Sequence, residues 1–553
     1  MRRFFSAVLC VLVLAISLVA VAKCPNIIID GQQQYQNCDQ TFAGSVTFPG
    51  TVSIPGGVTD PTAPKQTTAA ATYYVRTDGN DSNTCLGNTA LLACATVQGA
   101  LNKLPQFIKH AIVINVGAGT FPGFALKSLY MSAPAASLSI SGTLGAPTLT
   151  TGTVSGTADG GSTVECADSG QAWTVDELRG GLIHVGTDYR VVRSNTATSA
   201  FLVGALGASC SGSAYNLVEQ KTILNTNGGN SAVVSASDIR SYGKEPQWHL
   251  WDLKLLPPWT DYGFSLQHGG GGHLERVAVI AGAGGFNTSG FSWQDSGGTR
   301  VSMFDVYSTG SSGNGIELKN NVMALESDNS RWYVSGVTGD GVRFVSSTYL
   351  AVNELYIDSA GASGLVANTV SSVYVQNLIS DDVSAGAAFL GENIGKFAFD
   401  NASLTNVLAG VFLPGFTGNG YIGAPAGSVL VDTGWYGVVV GQPYIGAGTY
   451  TPAPGSVTLK NTTISNFSLI GLYIVGGTAM CLACAGSGNT WGAQVEGAGQ
   501  LFFNTGSVIE GTTGDLSLNG GVTETSWTTD FPTDGDIVVN DATGSRATRR
   551  DNL

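Results

Sequence analysis

Three carboxylates, Asp305, Asp328 and Glu354, recur about two dozen residues apart, and Glu326 stands two residues before Asp328. Asp305 and Glu354 fill the polar place of a recurring frame, apolar-x-polar-apolar: Leu274-Glu-Arg-Val, Met303-Phe-Asp-Val, Val352-Asn-Glu-Leu, Val375-Gln-Asn-Leu, Phe399-Asp-Asn-Ala and Leu459-Lys-Asn-Thr. If these frames stack, Arg276, Asp305, Glu354, Asn377, Asn401 and Asn461 form one column, with Asp328 expected in the coil between Asp305 and Glu354. Stacked rungs lie about 4.8 Å apart. Acids on successive rungs would repel, raise at least one pKa and so hold a carboxylic acid ready as a proton donor. Glycosidic bond cleavage needs two carboxyl groups about 5–5.5 Å apart for retention or about 6.5–9.5 Å for inversion, close to one or two rungs. The expected catalytic set is therefore Asp305, Glu326, Asp328 and Glu354, with Trp293, Arg331, Trp332, Tyr333 and Tyr356 as the nearby groups that would bind a sugar. The Asn members read as a structural ladder, bonded to one another and to turn backbone.

A lyase would instead need a base, and a cation to neutralise a uronate carboxylate. Arg276, Arg300, Lys319, Arg331 and Arg343 supply charge, and Asp358 with Asp381 and Asp382 offers hard oxygen ligands for calcium. No lyase signature can be placed residue by residue, so hydrolysis is the preferred chemistry and no cofactor is required. No HExxH, GxSxG or phosphate-loop motif is present.

The stacking that would assemble this column is written in glycine. Gly263-Phe-Ser-Leu, Gly290-Phe-Ser-Trp, Gly315-Ile-Glu-Leu, Gly341-Val-Arg-Phe, Gly364-Leu-Val-Ala, Gly386-Ala-Ala-Phe, Gly410-Val-Phe-Leu, Gly437-Val-Val-Val, Gly471-Leu-Tyr-Ile and Gly492-Ala-Gln-Val restart one pattern at short, near-regular steps. Between them run brief alternating stretches broken by Gly, Asn, Ser and Asp, with no sustained helical stripe. A unit of this length makes one three-sided coil of short strands, and it buries its inner face only when neighbours stack on it.

The 553 residues carry a formal charge of −14, and 12% are charged against about 25% in a typical domain. Such an acidic chain repels a phosphate backbone, which argues against nucleic acid as a partner. Its neutral polar surface suits sugars. Residues 1–22 read as a signal peptide, with Arg2 and Arg3, an apolar Val8 to Val21 and a small-residue site at Ala20-Val21-Ala22. An exported protein without a membrane span is the expectation. Of nine cysteines, Cys10 leaves with the signal, and the others couple by proximity as Cys24 with Cys38, Cys85 with Cys94, Cys166 with Cys210 and Cys481 with Cys484.

Residues 23–71 read as an extended segment. Its Phe42 to Val58 stretch repeats Gly-x-Val-x-apolar and is similar to the shaft of trimeric viral fibres, which would imply a homotrimer. Next, Tyr73-Tyr-Val-Arg-Thr-Asp-Gly-Asn-Asp-Ser-Asn, Ala95-Thr-Val-Gln-Gly-Ala-Leu-Asn-Lys-Leu and Ile112-Val-Ile-Asn-Val-Gly-Ala-Gly-Thr-Phe resemble the opening module of right-handed parallel β-helix proteins of the pectate-lyase-like superfamily, whose members include polysaccharide lyases and phage tailspikes. The resemblance implies an all-β, right-handed parallel β-helix solenoid with an N-terminal capping helix. Residues 72–162 form the cap and first coils, 163–222 a small β-rich insertion, 223–510 the main coils and 511–553 a C-terminal cap and tail. The function implied is recognition of an extracellular polysaccharide or cell-surface glycan, with depolymerisation by the paired acids. The alternative is a non-catalytic surface, adhesin or fibre protein.

Overall fold

The computed structural model describes residues 66–549 apart from 226–231, 243–245, 258–261, 269, 282–288, 295–299, 321, 325–329, 424–427, 432–433, 442–454, 504–506, 520–521, 526–536 and 540–545. The expected signal peptide, the Phe42 to Val58 repeat, the Cys24 and Cys38 couple, Glu326 and Asp328 lie outside the described residues.

The chain winds into a parallel β-solenoid of about 14 turns. Three walls can be followed strand by strand. Ala71–Val75 pairs with Ala111–Val116, then Ser137–Ser141, Trp248–Trp251, His273–Glu275 and Arg300–Phe304 follow up the first wall, all parallel. The second wall climbs through Gly119–Pro122, Thr222–Asn225, Leu253–Leu256, Ala278–Ile280, Val306–Thr309, Arg331–Val337 and Tyr349–Ala360. The third runs from Phe124–Lys127 through Ala232–Ser237, Tyr262–Gln267, Ser289–Gln294 and Asn314–Lys319 to Val342–Val345. From Leu365 to Leu413 strand follows strand almost without a break, with left-handed backbone at Thr369, Asp382, Asn393 and Asn406.

Alternation along each strand sends every second side chain inward, and the inward ones form one continuous core along the coil axis. Trp248, Phe264, Phe291, Trp293, Trp332 and Phe344 are fully buried there. The recurring glycines stack as well. A Cβ on Gly263, Gly290, Gly315 or Gly341 would lie 2.6 to 2.8 Å from the carbonyl oxygen of the next glycine up the column, so the rungs close only because that atom is missing. This is the physical content of the repeat.

At the base, Val97–Leu101 is a short helix whose N-cap Thr96 side chain accepts from the Gly99 amide. Asp81 receives the amides of Ala95 and Thr96, tying the preceding turn to the helix start. Val97, Ala100 and Leu101 join the coil core.

The corner after the first wall carries the insertion. The chain leaves at Gly142, whose amide donates to Trp251 O, and returns at Thr222. Between them antiparallel strands run from Leu144 to Gln220, beginning before residue 163, around a separate core that includes Trp173, Ile183, Val192, Tyr215 and Leu217. Cys166 and Cys210 are bonded inside it, and Cys85 and Cys94 are bonded in the N-terminal loop. Cys481 and Cys484, expected as a couple, are both buried and unbonded. Among the described residues no helix is long and apolar enough to cross a membrane.

Candidate functional site

The corner that releases the insertion also holds the predicted column. Trp251, Glu275 and Phe304 are paired rung to rung, so Asp252, Arg276 and Asp305, each one residue further, stack as the chain turns. All three have left-handed backbone, with φ of 58°, 52° and 50°. Aspartate tolerates that conformation better than most residues, whereas arginine rarely adopts it. Arg276 is held there by its bonds: Nε donates to Asp252 at 2.6 Å, and Nη1 donates to Glu275.

Above Asp305 the sequence expectation is corrected. Val306 pairs with Trp332, and Arg331 pairs with Glu354, so the rung between Asp305 and Glu354 is occupied by Arg331, the place expected for Asp328. The reason is packing: the indole of Trp332 takes the inward position, and the residue before it must then face the corner. Successive acids therefore do not repel each other here. Arg331 clasps Asp305 with two parallel bonds, Nε to Oδ1 at 2.6 Å and Nη2 to Oδ2 at 2.8 Å, and both side chains are buried. Continuing upward, Asn377 Nδ2 donates to Glu354 Oε1 at 2.7 Å and Asn401 Nδ2 donates to Asn377 Oδ1 at 2.7 Å. Phe399, Ile422 and Leu459 are in register, which keeps Asn461 in the same column. The Asn ladder is present as expected, and it terminates on a carboxyl group.

Because the insertion starts one rung below Asp252 at this corner, it folds up along the column. Leu182, Val191 and Val203 pack on Ala278, Tyr307 and Tyr333 of the second wall. Tyr307 and Tyr333 stack at 4.9 Å, and Tyr356 meets Tyr333 edge-on at 5.5 Å. Gly180, with φ of 79°, lies flat on Tyr307, and Gly204, with φ of 77°, lies against Arg331 and Glu354. A side chain at either position would hold the insertion off the coil. Arg193 donates to the Tyr356 hydroxyl and sits 5.0 Å from its ring centroid, while its own carbonyl accepts from the Tyr333 hydroxyl at 3.1 Å.

Among the described residues, two of the clefts between insertion and coil border the column. One, of about 340 Å³, is lined by Asp188, Tyr189 and Arg190 of the insertion and by His273, Glu275, Arg276, Phe304, Asp305 and Arg331 of the coil. The other, of about 440 Å³, is bounded by Arg193, Leu202 and Gly204 on one side and by Glu354, Tyr356, Asn377 and Asn401 on the other. Burial pushes the Glu354 carboxyl above the ordinary range, against weaker opposing contributions from Asn377, Arg331 and Arg190. The Arg190 guanidinium, whose Nε and Nη2 donate to Ala205 O, is pulled below its usual value by burial and then by Arg331. Asn401 Oδ1 is buried without a protein partner beside the second cleft.

The expected sugar-binding residues divide accordingly. Arg331 lines the first cleft and Tyr356 the second. Trp293 and Trp332 have no exposed surface, because inward alternation places both in the coil core, and they are corrected from ligand platforms to core residues. Tyr333 is outward but fully covered by the insertion, where it serves as a docking surface. Residues that sequence reasoning missed are Arg190, Arg193, Asp188 and Tyr189, read only as part of an insertion, and Asp252 and Glu275. Among the described residues no group of three or more His, Cys, Asp or Glu side chains is placed to hold a metal ion, and Asp358 and Asp381 instead bond to Arg179 and to Thr405 and Asn406.

No family model matches the chain, and no curated protein does. Solved structures similar to it include the tailspike protein gp49 from Pseudomonas phage LKA1, at 11% identity over 87% of this chain and 74% of that one with a TM-score of 0.24. A complex of XylC with xylose is matched at 8% identity over 85% and 86% of the two chains with a TM-score of 0.23. The Gp54 tailspike of Acinetobacter baumannii bacteriophage AP22, in complex with the capsular saccharide, is matched at 9% identity over 79% and 74% with a TM-score of 0.21.

Proposed function

We propose that this chain recognises a polysaccharide along the seam between its insertion and the corner of its coil. One observation carries the reading: Glu354, Asn377 and Asn401 form a bonded polar ladder that lines an open cleft beside Tyr356 and Arg193 and ends in an unpartnered Asn401 Oδ1. Sugars need this combination, a ring face for their C–H surface and closely spaced donors and acceptors for their hydroxyls. An exported location, a homotrimeric state and a place in the pectate-lyase-like superfamily belong to the same proposal.

Depolymerisation is the finer part of it. Glu354, whose carboxyl is pushed above the ordinary range by burial, is the candidate general acid. Asp305, bound by both Arg331 donors, stands two rungs away, roughly 9–10 Å, at the upper end of the spacing for inversion. Glu326 and Asp328 belong to the same candidate set. The test is binding and digestion of a glycan panel by wild type, Arg193→Ala, Asn377→Ala, Glu354→Gln and Asp328→Asn. Products that vanish with Glu354→Gln support hydrolysis; undiminished products from both acid variants remove those acids.

The non-catalytic reading is favoured by a specific feature, the bidentate Arg331–Asp305 pair and the Arg276–Asp252 pair below it. Such pairs fix the turn of the coil and occupy both carboxylate oxygens of Asp305. Binding without any product from the panel would establish that reading.

A further inference from the structure

On the first wall, beside the charged cleft, three side chains meet, of which only Glu275 also bonds to the column, through Arg276. His273 and Glu275 lie two apart on one strand and so share its outer face. Ser302 is the direct rung partner of His273. His273 Nδ1 is 3.1 Å from Ser302 Oγ, and His273 Nε2 is 3.4 Å from Glu275 Oε2. The carboxylate can only accept, so the imidazole proton belongs on Nε2, which leaves the Nδ1 lone pair facing the Ser302 hydroxyl. All three are half-buried rather than sealed, and His273 and Glu275 line the cleft of about 340 Å³.

We propose that Ser302, His273 and Glu275 form a nucleophile, base and orienting acid, and that the cleft removes ester-linked acyl groups from a polysaccharide. The arrangement has the roles of a hydroxyl nucleophile, an adjacent general base and a group that fixes the base's tautomer. Ser302 Oγ attacks the ester carbonyl carbon while its proton passes to His273 Nδ1. The bond from that carbon to the sugar oxygen then breaks, the sugar oxygen takes the proton back from His273, and an acyl-Ser302 ester remains. Water, losing a proton to His273, attacks this ester; the carboxylic acid leaves and Ser302 regains its proton. Ester and water have become alcohol and acid.

The surroundings fit these roles. The Glu275 carboxyl is held below the ordinary range, first by its bond from His273 and then by Arg276, so it remains the acceptor that orients the ring. His249, the rung partner of His273 on the other side, is pulled down to about 4 by burial and by His273, and it is neutral at neutral pH. It adds no charge that would oppose protonation of His273 during the reaction. Arg190, Arg276 and Arg331 line the cleft toward which negative charge on the carbonyl oxygen would be drawn. Phe304 and Tyr189 supply apolar surface for the sugar or acyl group.

The choice of a sugar ester rests on the glycan reading, but the chemistry does not, and the assay separates the two. Purified full chain is incubated with 4-nitrophenyl acetate, which needs no glycan recognition, and separately with an acetylated xylan; a fluorophosphonate probe is used to label the serine. Wild type is expected to release 4-nitrophenol and to be labelled at Ser302. Ser302→Ala and His273→Ala should each lose at least about 100-fold in rate and all labelling. Glu275→Gln should lower kcat and leave KM for the small ester within about twofold, as expected of a positioning residue. Absence of hydrolysis and labelling by folded wild type, or a rate unchanged in Ser302→Ala, overturns the proposal. Cleavage of the small ester without acetate release from the xylan keeps the triad and rejects that polysaccharide ester as its substrate.

Discussion

At the scale of single residues, the corner column is a chain of alternating charges whose value depends on every member being present. Arg331→Met leaves the buried Asp305 carboxylate without its two guanidinium bonds, and removal of one partner from such a pair costs about 3–5 kcal/mol. Urea denaturation of wild type, Arg331→Met and Arg331→Met/Asp305→Leu should show that loss in the single variant and its partial recovery in the double; equal midpoints in all three would mean the pair is idle. Glu354 behaves in the opposite sense. Its folded pKa is raised, so the folded state holds this proton more tightly than the unfolded chain, a contribution present in full below the unfolded value and lost as pH rises through the folded one. Glu354→Gln can still accept the Asn377 bond and carries no such loss. Its thermal midpoint should gain on wild type from about pH 4 upward, and parallel curves would contradict the raised pKa. Asp305 and Glu354 were visible in sequence because each follows an apolar inward residue by two positions. Arg331 in the column was not, because the frame alone does not say that Trp332 turns inward.

At the scale of elements, the site exists because an insertion leaves the coil at the same corner that carries the column. The docking surface is the Tyr307–Tyr333–Tyr356 series, and its fit depends on bare backbone at Gly180. Gly180→Val meets both a left-handed backbone and the buried Tyr307 ring, which together should cost about 2–4 kcal/mol. Hydrogen exchange should show faster exchange in Leu182–Val185 and Asp188–Asn195 with the coil strands unchanged; protection equal to wild type would show that the close approach is not needed. The insertion itself was legible as a break in the coil rhythm with two cysteines inside it. Its position over the column was not, although the clue was available in principle: counting rungs from Ser141 puts its exit below Asp252. Arg190 and Arg193 were missed for this reason, since a basic residue on an antiparallel strand has no partner in sequence. The aromatic residues were misassigned in part because a ring on a strand reads the same whether alternation turns it in, as for Trp293 and Trp332, or out, as for Tyr356.

At the scale of the whole molecule, repetition converts sequence separation into vertical distance. Residues two dozen apart become neighbours about 4.8 Å apart, which is why Glu354, Asn377 and Asn401 can act as one surface. This was the most legible level, because the glycine column is a steric requirement that recurs along much of the coil and leaves an imprint that composition cannot hide. The glycan partner is less directly written, since neutral polar side chains serve turns and sugars alike. The central claim is that the seam is where a sugar chain binds. The decisive measurement is equilibrium binding of wild type, Arg193→Ala and Asn377→Ala to a glycan panel by calorimetry, with folding of each variant checked by thermal midpoint. Wild type is expected to bind at least one glycan, and both variants to lose tenfold or more in affinity without a loss of folding. Binding that is equal in all three proteins, or a wild type that binds nothing across the panel, would contradict that claim.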